Sequence, residues 1–358
     1  MEDFNLRSPQ QVQKFLLDQG WQPSEWNYKK DPETGKKTRT SPKLTEDSFP
    51  SIKGQAGQMI ANTRQLNSRS DFLRGLLRDV KTNGRVPTPY SGKTVTHRLR
   101  HSVVVNVPRP EDNTFFGQEC REVFIAEPGN LLVGCDSDSC QLRMLIHEMH
   151  SRGLHNKEFE YALLEGTRED GTDAHSRNRD AVNTILGEEI LTRTHAKTVF
   201  YGTIFGGGIP RIAGIVGCNV QLAEKIQRGF FTVLPELPEL KSSLQGELRR
   251  QGYITAIDGR PIYIRSPHMV LVSLMQGDEA AAMEMSMCYA DNLIKKQGLA
   301  SRQLIYYHDE LDYEAKQQEA QETAICLEKA IAWPGEYLGL NVPLTGSASI
   351  GNNWSEIH

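Results

Sequence analysis

The run Leu131-Leu132-Val133-Gly134-Cys135-Asp136 constrains the fold more than any other stretch of the 358-residue chain. It is apolar up to its final acid, as suits a buried strand that delivers one carboxylate at its tip. Leu142, Leu145, Ile146 and Met149 then recur at helical spacing, so the unit reads strand, carboxylate, helix. A second acidic group, His308-Asp309-Glu310, lies between the short strand patterns Gln303-Leu304-Ile305-Tyr306-Tyr307 and Leu311-Asp312-Tyr313-Glu314. If the two strands are neighbours in one sheet, Asp136 and Asp309 face one point. Hard cations need oxygen ligands, and two ions held by such carboxylates clamp an in-line phosphoryl transfer. Each residue also has a plainer reading, Asp136 as a helix N-cap and Asp309 as part of a polar turn.

Elsewhere the pattern is mostly helical. Ser8-Pro9 opens a short helix with Ser8 as N-cap and Val12, Phe15 and Leu16 on one face. Residues 57–77 place Met59, Ile60, Leu66, Phe72, Leu73, Leu76 and Leu77 at steps that predict a core-facing helix or helix pair. Between them, the basic cluster at 28–43 carries Pro and Gly without an apolar period and reads as an exposed loop. Residues 173–231 read as helices interrupted by Gly206-Gly207-Gly208, residues 254–264 as a hairpin around Asp258-Gly259, and 270–296 and 317–331 as further helices.

Charge and cysteines bound the class. A net charge of −4 supplies no global attraction for nucleic acid, but 41 Lys plus Arg against 45 acids permits local segregation. The six cysteines form no CxxC pair, so they read as free thiols rather than a zinc site or disulfide framework. No apolar run reaches the roughly 18 to 20 residues that cross a bilayer. The start Met1-Glu2-Asp3 lacks a signal-peptide layout. A cytoplasmic protein is expected, with no membrane partner.

The third chemical element is Arg193, Lys197 and Tyr201, at successive i+4 steps with Phe205 beyond them. They share one helix face. Arg and Lys suit a triphosphate, and Tyr offers a flat surface for a sugar or base; the plainer reading is a solvated basic stripe. Ala196, Val199, Phe200 and Ile204 form an apolar opposite face. The triple glycine lacks the order of a P-loop and reads as a helix end. His175, behind Thr172-Asp173 at a helix start, could reach a phosphate or be surface polar. Arg98 and Arg100, with His97 and His101, form a basic loop segment suited to DNA-backbone or minor-groove contact, or simply exposed.

Taken in order, these residues resemble the family A DNA polymerases, most closely the bacteriophage replicative members. Asp136-Ser137-Asp138-Ser139-Cys140-Gln141-Leu142-Arg143 is similar to motif A. Arg193-Thr194-His195-Ala196-Lys197-Thr198-Val199-Phe200-Tyr201-Gly202 is similar to motif B, and His308-Asp309-Glu310 to the HDE of motif C. Thr96-x-Arg98, Asp258-Gly259-Arg260, Ser266-Pro267-His268 and Gln276 support the likeness, which runs from about Phe4 to the terminal stretch 351–358.

The resemblance implies an α+β right-hand polymerase fold: a palm of antiparallel strands plus helical fingers, with the thumb largely absent. It implies domains at 1–65 (lead-in and thumb-base remnant), 66–150 (first part of the palm, motif A), 151–265 (fingers, motif B) and 266–358 (second part of the palm, motif C). The implied reaction adds a dNTP to a primer 3′-OH on a DNA template in replication, with two magnesium ions. Asp136 and Asp309, helped by the carbonyl of Ser137, would ligate the metals, and Glu310 would be an accessory acid near the primer end. Arg193, Lys197 and His175 would hold the triphosphate, and Tyr201 would pack under the sugar. Arg98 and Gln276 would touch the minor groove, where acceptors are nearly common to all base pairs, and Phe205 would stack by the template base.

Two positions depart from the family pattern. Gln141 stands where the family has Glu, keeping the bulk that blocks a 2′-OH but not the charge, and Phe205 replaces the usual Tyr. The family's exonuclease domain and most of its thumb precede the matched region, so a separate polypeptide supplying both is expected as a partner, beside primer-template DNA and dNTPs, in a host cytoplasm if the chain is phage-encoded. The alternatives are an inactive nucleic-acid-binding accessory subunit, against which both Asp residues and Lys197 speak, and a single-subunit RNA polymerase relative, against which Glu310 speaks.

Overall fold

The computed structural model describes residues 4–357 apart from 24, 33, 109 and 111–113. Met1-Glu2-Asp3, Glu33 of the basic cluster and His358 of the terminal stretch therefore lie outside the described residues. The chain divides into two units, Met1–Pro87 with Pro108–Cys120, and Thr88–Val107 with Arg121–His358.

In the first unit, helix α1 (Pro9–Asp18) starts at the expected cap, the Ser8 hydroxyl accepting the Gln11 amide at 3.4 Å. Val12 and Leu16 join Trp21, Phe49, Ile52, Ile60 and Ala61 in a small core. The basic cluster is not a loop but a hairpin of β1 (Trp26–Lys30) and β2 (Lys37–Pro42). Both strands are almost entirely exposed, so no apolar alternation marks them. Their turn is built by Asp31, whose carboxylate accepts the Thr34 amide and whose carbonyl accepts that of Gly35. Helix α2 (Gln55–Asp79) covers the predicted helical stretch, but it faces a core only through Gly57, Ile60 and Ala61. Met59, Leu66 and Leu77 are exposed, which corrects the core-facing expectation: apolar spacing specifies a helix, not what covers it.

The second unit begins with the hairpin β3 (Tyr90–Lys93) and β4 (Leu99–His101), so the segment expected as a basic loop is partly strand. After the short helix α3 (Gly117–Glu122) come strand β5 (Asn130–Ser137) and helix α4 (Cys140–His150). The N-cap of α4 is Ser139, held at φ 50°, which removes the reading of Asp136 as a cap. Helices α5 (Lys157–Leu164), α6 (Ala174–Leu186), α7 (Arg193–Ile204), α8 (Ile209–Val216), α9 (Val220–Val233) and α10 (Glu236–Gln251) follow. The hairpin β6 (Ile254–Thr255) and β7 (Pro261–Ile262) leads into the long helix α11 (Val270–Gln297). Strands β8 (Arg302–Tyr307) and β9 (Glu310–Lys316), helix α12 (Ala320–Leu338) and strand β10 (Gly346–Gly351) complete it.

Four of these strands form one antiparallel sheet in the order β10-β5-β9-β8. Side chains alternate across it. Leu311, Tyr313 and Ala315 of β9 join Val133 and Cys135 of β5 in a core with α11 and α12. Glu310, Asp312 and Glu314 point to the other face and are also buried. There a Cβ on Gly134 would come within 2.9 Å of both Asp312 Oδ1 and the Ile357 carbonyl, so only glycine lets the C-terminal turn close over the sheet. A separate core gathers Leu145, Ile146, Val199, Phe200, Ile204, Ile226 and Leu240, and fixes α7 by the apolar face read in the sequence.

Candidate active site

The sheet order makes β5 and β9 neighbours, with Asp136 in register opposite Glu310. The Ser137 amide donates to the Asp309 carbonyl at 2.9 Å, tying the β8–β9 turn to the tip of β5. His308 completes that turn in the left-handed region, φ 59°, its ring stacked on Tyr307 with centroids 4.8 Å apart and edge-on to His101 at 5.0 Å. Asp136 and Asp309, remote in sequence, thus meet as expected. Although Asp136 lies at an exposed strand tip, the packed surroundings of its carboxyl and the charges of Asp309, Glu310, Asp138 and Glu279 push its pKa up to about 7. Ser137 is buried, and so is Glu310, at 2 % exposure. Asp138 is turned away onto β10's edge, accepting the Thr345 and Ser347 hydroxyls at 2.7 Å each.

Among the described residues no group of three or more His, Cys, Asp or Glu side chains is arranged to hold a metal. The donor set at the strand tips is two carboxylates with adjacent backbone. Its crowded negative charge, seen in Asp136, is what a hard dication would relieve, so these oxygens fit such an ion.

Helix α7 presents the second half of the site. Thr192 caps it, accepting the His195 amide. Arg193, at its first turn, lays its fork on Asp173, with Nη2 to Oδ1 at 2.9 Å and Nε to Oδ2 at 3.2 Å. Asp173 also caps α6, accepting the amides of His175 and Ser176. Burial would raise this carboxyl, but Arg193, Ser176 and the His175 amide win and hold it at about 2. Lys197 is exposed. Tyr201 packs between His175 and Phe205, with ring centroids 5.7 and 5.8 Å away. Burial first, then the charges of Asp309 and Glu279, raise the Tyr201 hydroxyl, and α7 shares its core with α4, the helix that follows the tip of β5. His175 is itself buried, and burial, then Arg193 and Lys197, depress it to about 4. Phe205 is exposed at the end of α7, just before Gly206 at φ 76°.

Behind the strand tips lies Glu279 of α11, fully buried. One oxygen accepts the Gln141 amide nitrogen at 2.9 Å, and the other takes Nη2 of Arg98. Arg98 is therefore no free basic arm. One turn earlier on α11, Gln276 accepts the hydroxyl of buried Thr96 at 3.3 Å. Arg98 and Gln141 thus meet on Glu279, while Thr96 and Gln276 form a separate pair one turn away on the same helix.

The family model for DNA polymerase family A matches residues 1–356. The chain belongs to DNA polymerase family A. Within that family it is similar to the DNA-directed DNA polymerases of Enterobacteria phage T3 and Escherichia phage T7, each 24% identical over 99% of this chain and 53% of the relative. DNA polymerase I of Pseudomonas aeruginosa is 23% identical over 100% of this chain and 39% of its own length. The chain thus spans about half or less of the length of these curated relatives. Among solved structures, the polymerase domain of Pol1 from M. smegmatis, in complex with DNA primer-template and dNTP, shares the fold at TM-score 0.78 and 22% identity, covering 98% of this chain and 61% of that one. The expected α+β polymerase fold is borne out.

Every site residue expected of this family A chain lies in its second unit. Two partners of the site residues, Asp173 and Glu279, are not among the residues expected from the sequence. Asp173 was seen only as part of a helix start, because nothing local links it to an arginine twenty residues on. Glu279 was missed inside an apolar helix, yet an acid flanked by Ala and Met at 280–283 has to find a partner. That was a readable signal.

Proposed function

We propose that the chain is a template-directed DNA polymerase adding dNTPs to a primer 3′-OH. The observation that carries this reading is the meeting of Asp136 and Asp309 at adjacent strand tips, beside a helix face bearing Arg193, Lys197 and Tyr201. Asp136, Asp309 and the Ser137 carbonyl would hold two magnesium ions, which when bound neutralise charge on the attacking and leaving oxygens. Arg193, Lys197 and His175 would hold the triphosphate, His175 as a neutral hydrogen-bonding ring given its depressed pKa. Tyr201 would lie under the sugar with Gln141 blocking a 2′-OH, and Phe205 would stack by the template base. Arg98 and Gln276 would meet the minor groove at the primer end. Glu310, buried as it is, would act as an accessory acid through its neighbours. In this reading residues 66–150 and 266–358 act as palm, 151–265 as fingers and 1–65 as lead-in.

The test is primer extension with magnesium on a defined template, with dNTPs and with rNTPs. The wild type should extend with dNTPs, and Asp136→Ala or Asp309→Ala should lose at least about 1,000-fold in rate while retaining DNA binding, since charge stabilisation is the larger part of such catalysis. Near-normal extension by either variant would overturn the assignment, and preference for rNTPs would point to an RNA polymerase. A separate polypeptide carrying exonuclease and thumb stays a proposed partner, tested by product length from this chain alone on a long template. The cytoplasm is the proposed location, and no helix among the described residues is long and apolar enough to cross a membrane.

A further inference from the structure

Glu279 has no place in the roles above, yet it is the most deeply buried acid touching the site. Its side chain is 0% exposed, and that of its partner Arg98 only 14%. A carboxylate so placed is expensive to keep unless both oxygens are used, and both are. Oε1 faces the Gln141 amide nitrogen at 2.9 Å and Oε2 faces Arg98. The carboxylate also dictates which way Gln141 turns. Only an amide NH2 can donate to it, so the Gln141 carbonyl oxygen is left pointing elsewhere. That oxygen, and Nε of Arg98, are buried with no hydrogen-bond partner among the described residues. Gln141 lies in the first turn of α4, five residues after Asp136 at the tip of β5, so the group borders the candidate site.

We propose that Glu279 is a positioning residue for nucleotide selection: one buried carboxylate pins Gln141 as a rigid wall beside the incoming sugar with one oxygen and aims Arg98 at the primer end with the other. This rests on the polymerase reading. The bulk of Gln141 excludes a 2′-OH only while the side chain cannot swing away, and a glutamine has three side-chain torsions through which to do so without a tether. Glu279 supplies the tether from a different helix, α11, so the selectivity of the sugar pocket depends on a residue that touches neither sugar nor phosphate. Because the same carboxylate anchors Arg98, sugar choice and primer-end contact are linked through it.

The experiment measures kcat/KM for a dNTP and the matching rNTP, and KM for primer-template, in wild type, Glu279→Ala, Glu279→Gln, Gln141→Ala and the double Ala variant. In Glu279→Ala the dNTP preference should fall roughly tenfold or more, as expected for the loss of a hydrogen bond to a charged group. In the double variant it should fall no further than in Gln141→Ala alone. Glu279→Gln separates the two arms: its carbonyl can still accept from Gln141 and keep the sugar preference, while its NH2 meets Arg98 and should raise KM for primer-template several-fold. A wild type that extends no primer overturns the polymerase reading and this inference with it. With extension intact, an unchanged dNTP preference in Glu279→Ala, or a loss that adds in full to that of Gln141→Ala, overturns the inference alone. Should Glu279→Ala not fold, a Glu279→Gln variant matching wild type in both preference and primer-template KM overturns it equally.

Discussion

Arg193 and Arg98 both border the candidate site and both rest on a carboxylate, but the two pairs are built in opposite ways. Arg193 is forked onto Asp173, and its side chain keeps 28% exposure against 12% for its partner. Arg98 meets a Glu279 that is wholly buried. The titration of the two acids shows which force wins in each place. Asp173 is held down at about 2, since the hydrogen bonds from Arg193, Ser176 and His175 together with the Arg193 charge outweigh the upward push of burial. Glu279 is raised above the usual carboxylate range, because removal from water outweighs the pull of Arg98. A pair near solvent can trade one anion for another at little cost; a pair in the interior cannot come apart without stranding a charge. Arg193 therefore suits a ligand that arrives and leaves, and Arg98 suits a fixed scaffold.

The contrast is most directly broken by truncating each acid. Glu279→Ala removes the buried carboxylate on which the Arg98 guanidinium rests, and should cost about 3 to 5 kcal/mol of folding stability. Asp173→Ala removes an N-cap and an exchangeable partner, for about 1 to 2 kcal/mol. Urea unfolding of the two variants under one buffer measures both. Equal losses would mean that the fully buried pair is no more of a scaffold than the partly exposed one.

The same contrast explains what could be read from sequence. Strand-tip acids such as Asp136 and Asp309 stood out because an apolar run ends on them, and α7 stood out because its polar and apolar residues separate by helical period. Asp136, Asp309, Arg193, Lys197 and Tyr201 all lie in local patterns of that kind. Partners contributed by another element are not named by any local pattern: the acid at 279 signals that a partner is needed but not which one, and Asp173 reaches Arg193, and Glu279 reaches both Gln141 and Arg98, only through tertiary packing. In the first unit the hairpin at 26–42 was read as a loop because neither face is covered, and burial is what gives strands their visible alternation.

His175 reports on the exchangeable side from close range. Burial, then Arg193 and Lys197, lower it to about 4, and only Asp173 resists. Its folded-state pKa lies below the ordinary 6.5, so between those values the unfolded chain binds the extra proton and stability rises with pH. Compared with His175→Asn, the wild type should keep its full relative stability above about pH 6.5 and lose about 3 kcal/mol as pH falls towards 4. The imidazole resonances should titrate with a midpoint near 4 by NMR. A midpoint near the ordinary value would show that His175 is not enclosed beside Arg193, and the description of this side of the site would have to change.

The smallest effect probes whether Arg193 really exchanges partners. Asp173→Asn keeps a good N-cap for α6, so folding stability should change by less than about 1 kcal/mol, and it leaves Arg193 beside a neutral amide instead of an anion. If the guanidinium must leave Asp173 to reach a triphosphate, weakening the resting pair lowers the cost of that move, and KM for dNTP should fall about two- to fivefold, the range set by a partly exposed ion pair. The released Arg193 should also make dNTP binding depend more steeply on salt, because a free guanidinium is screened where a paired one is already neutralised. If Asp173 instead orients the fork while it stays bound, the Asn variant would lose that alignment and KM would rise. Steady-state kinetics at two ionic strengths separates the outcomes, and a rise in KM would make Arg193 a fixed arm like Arg98.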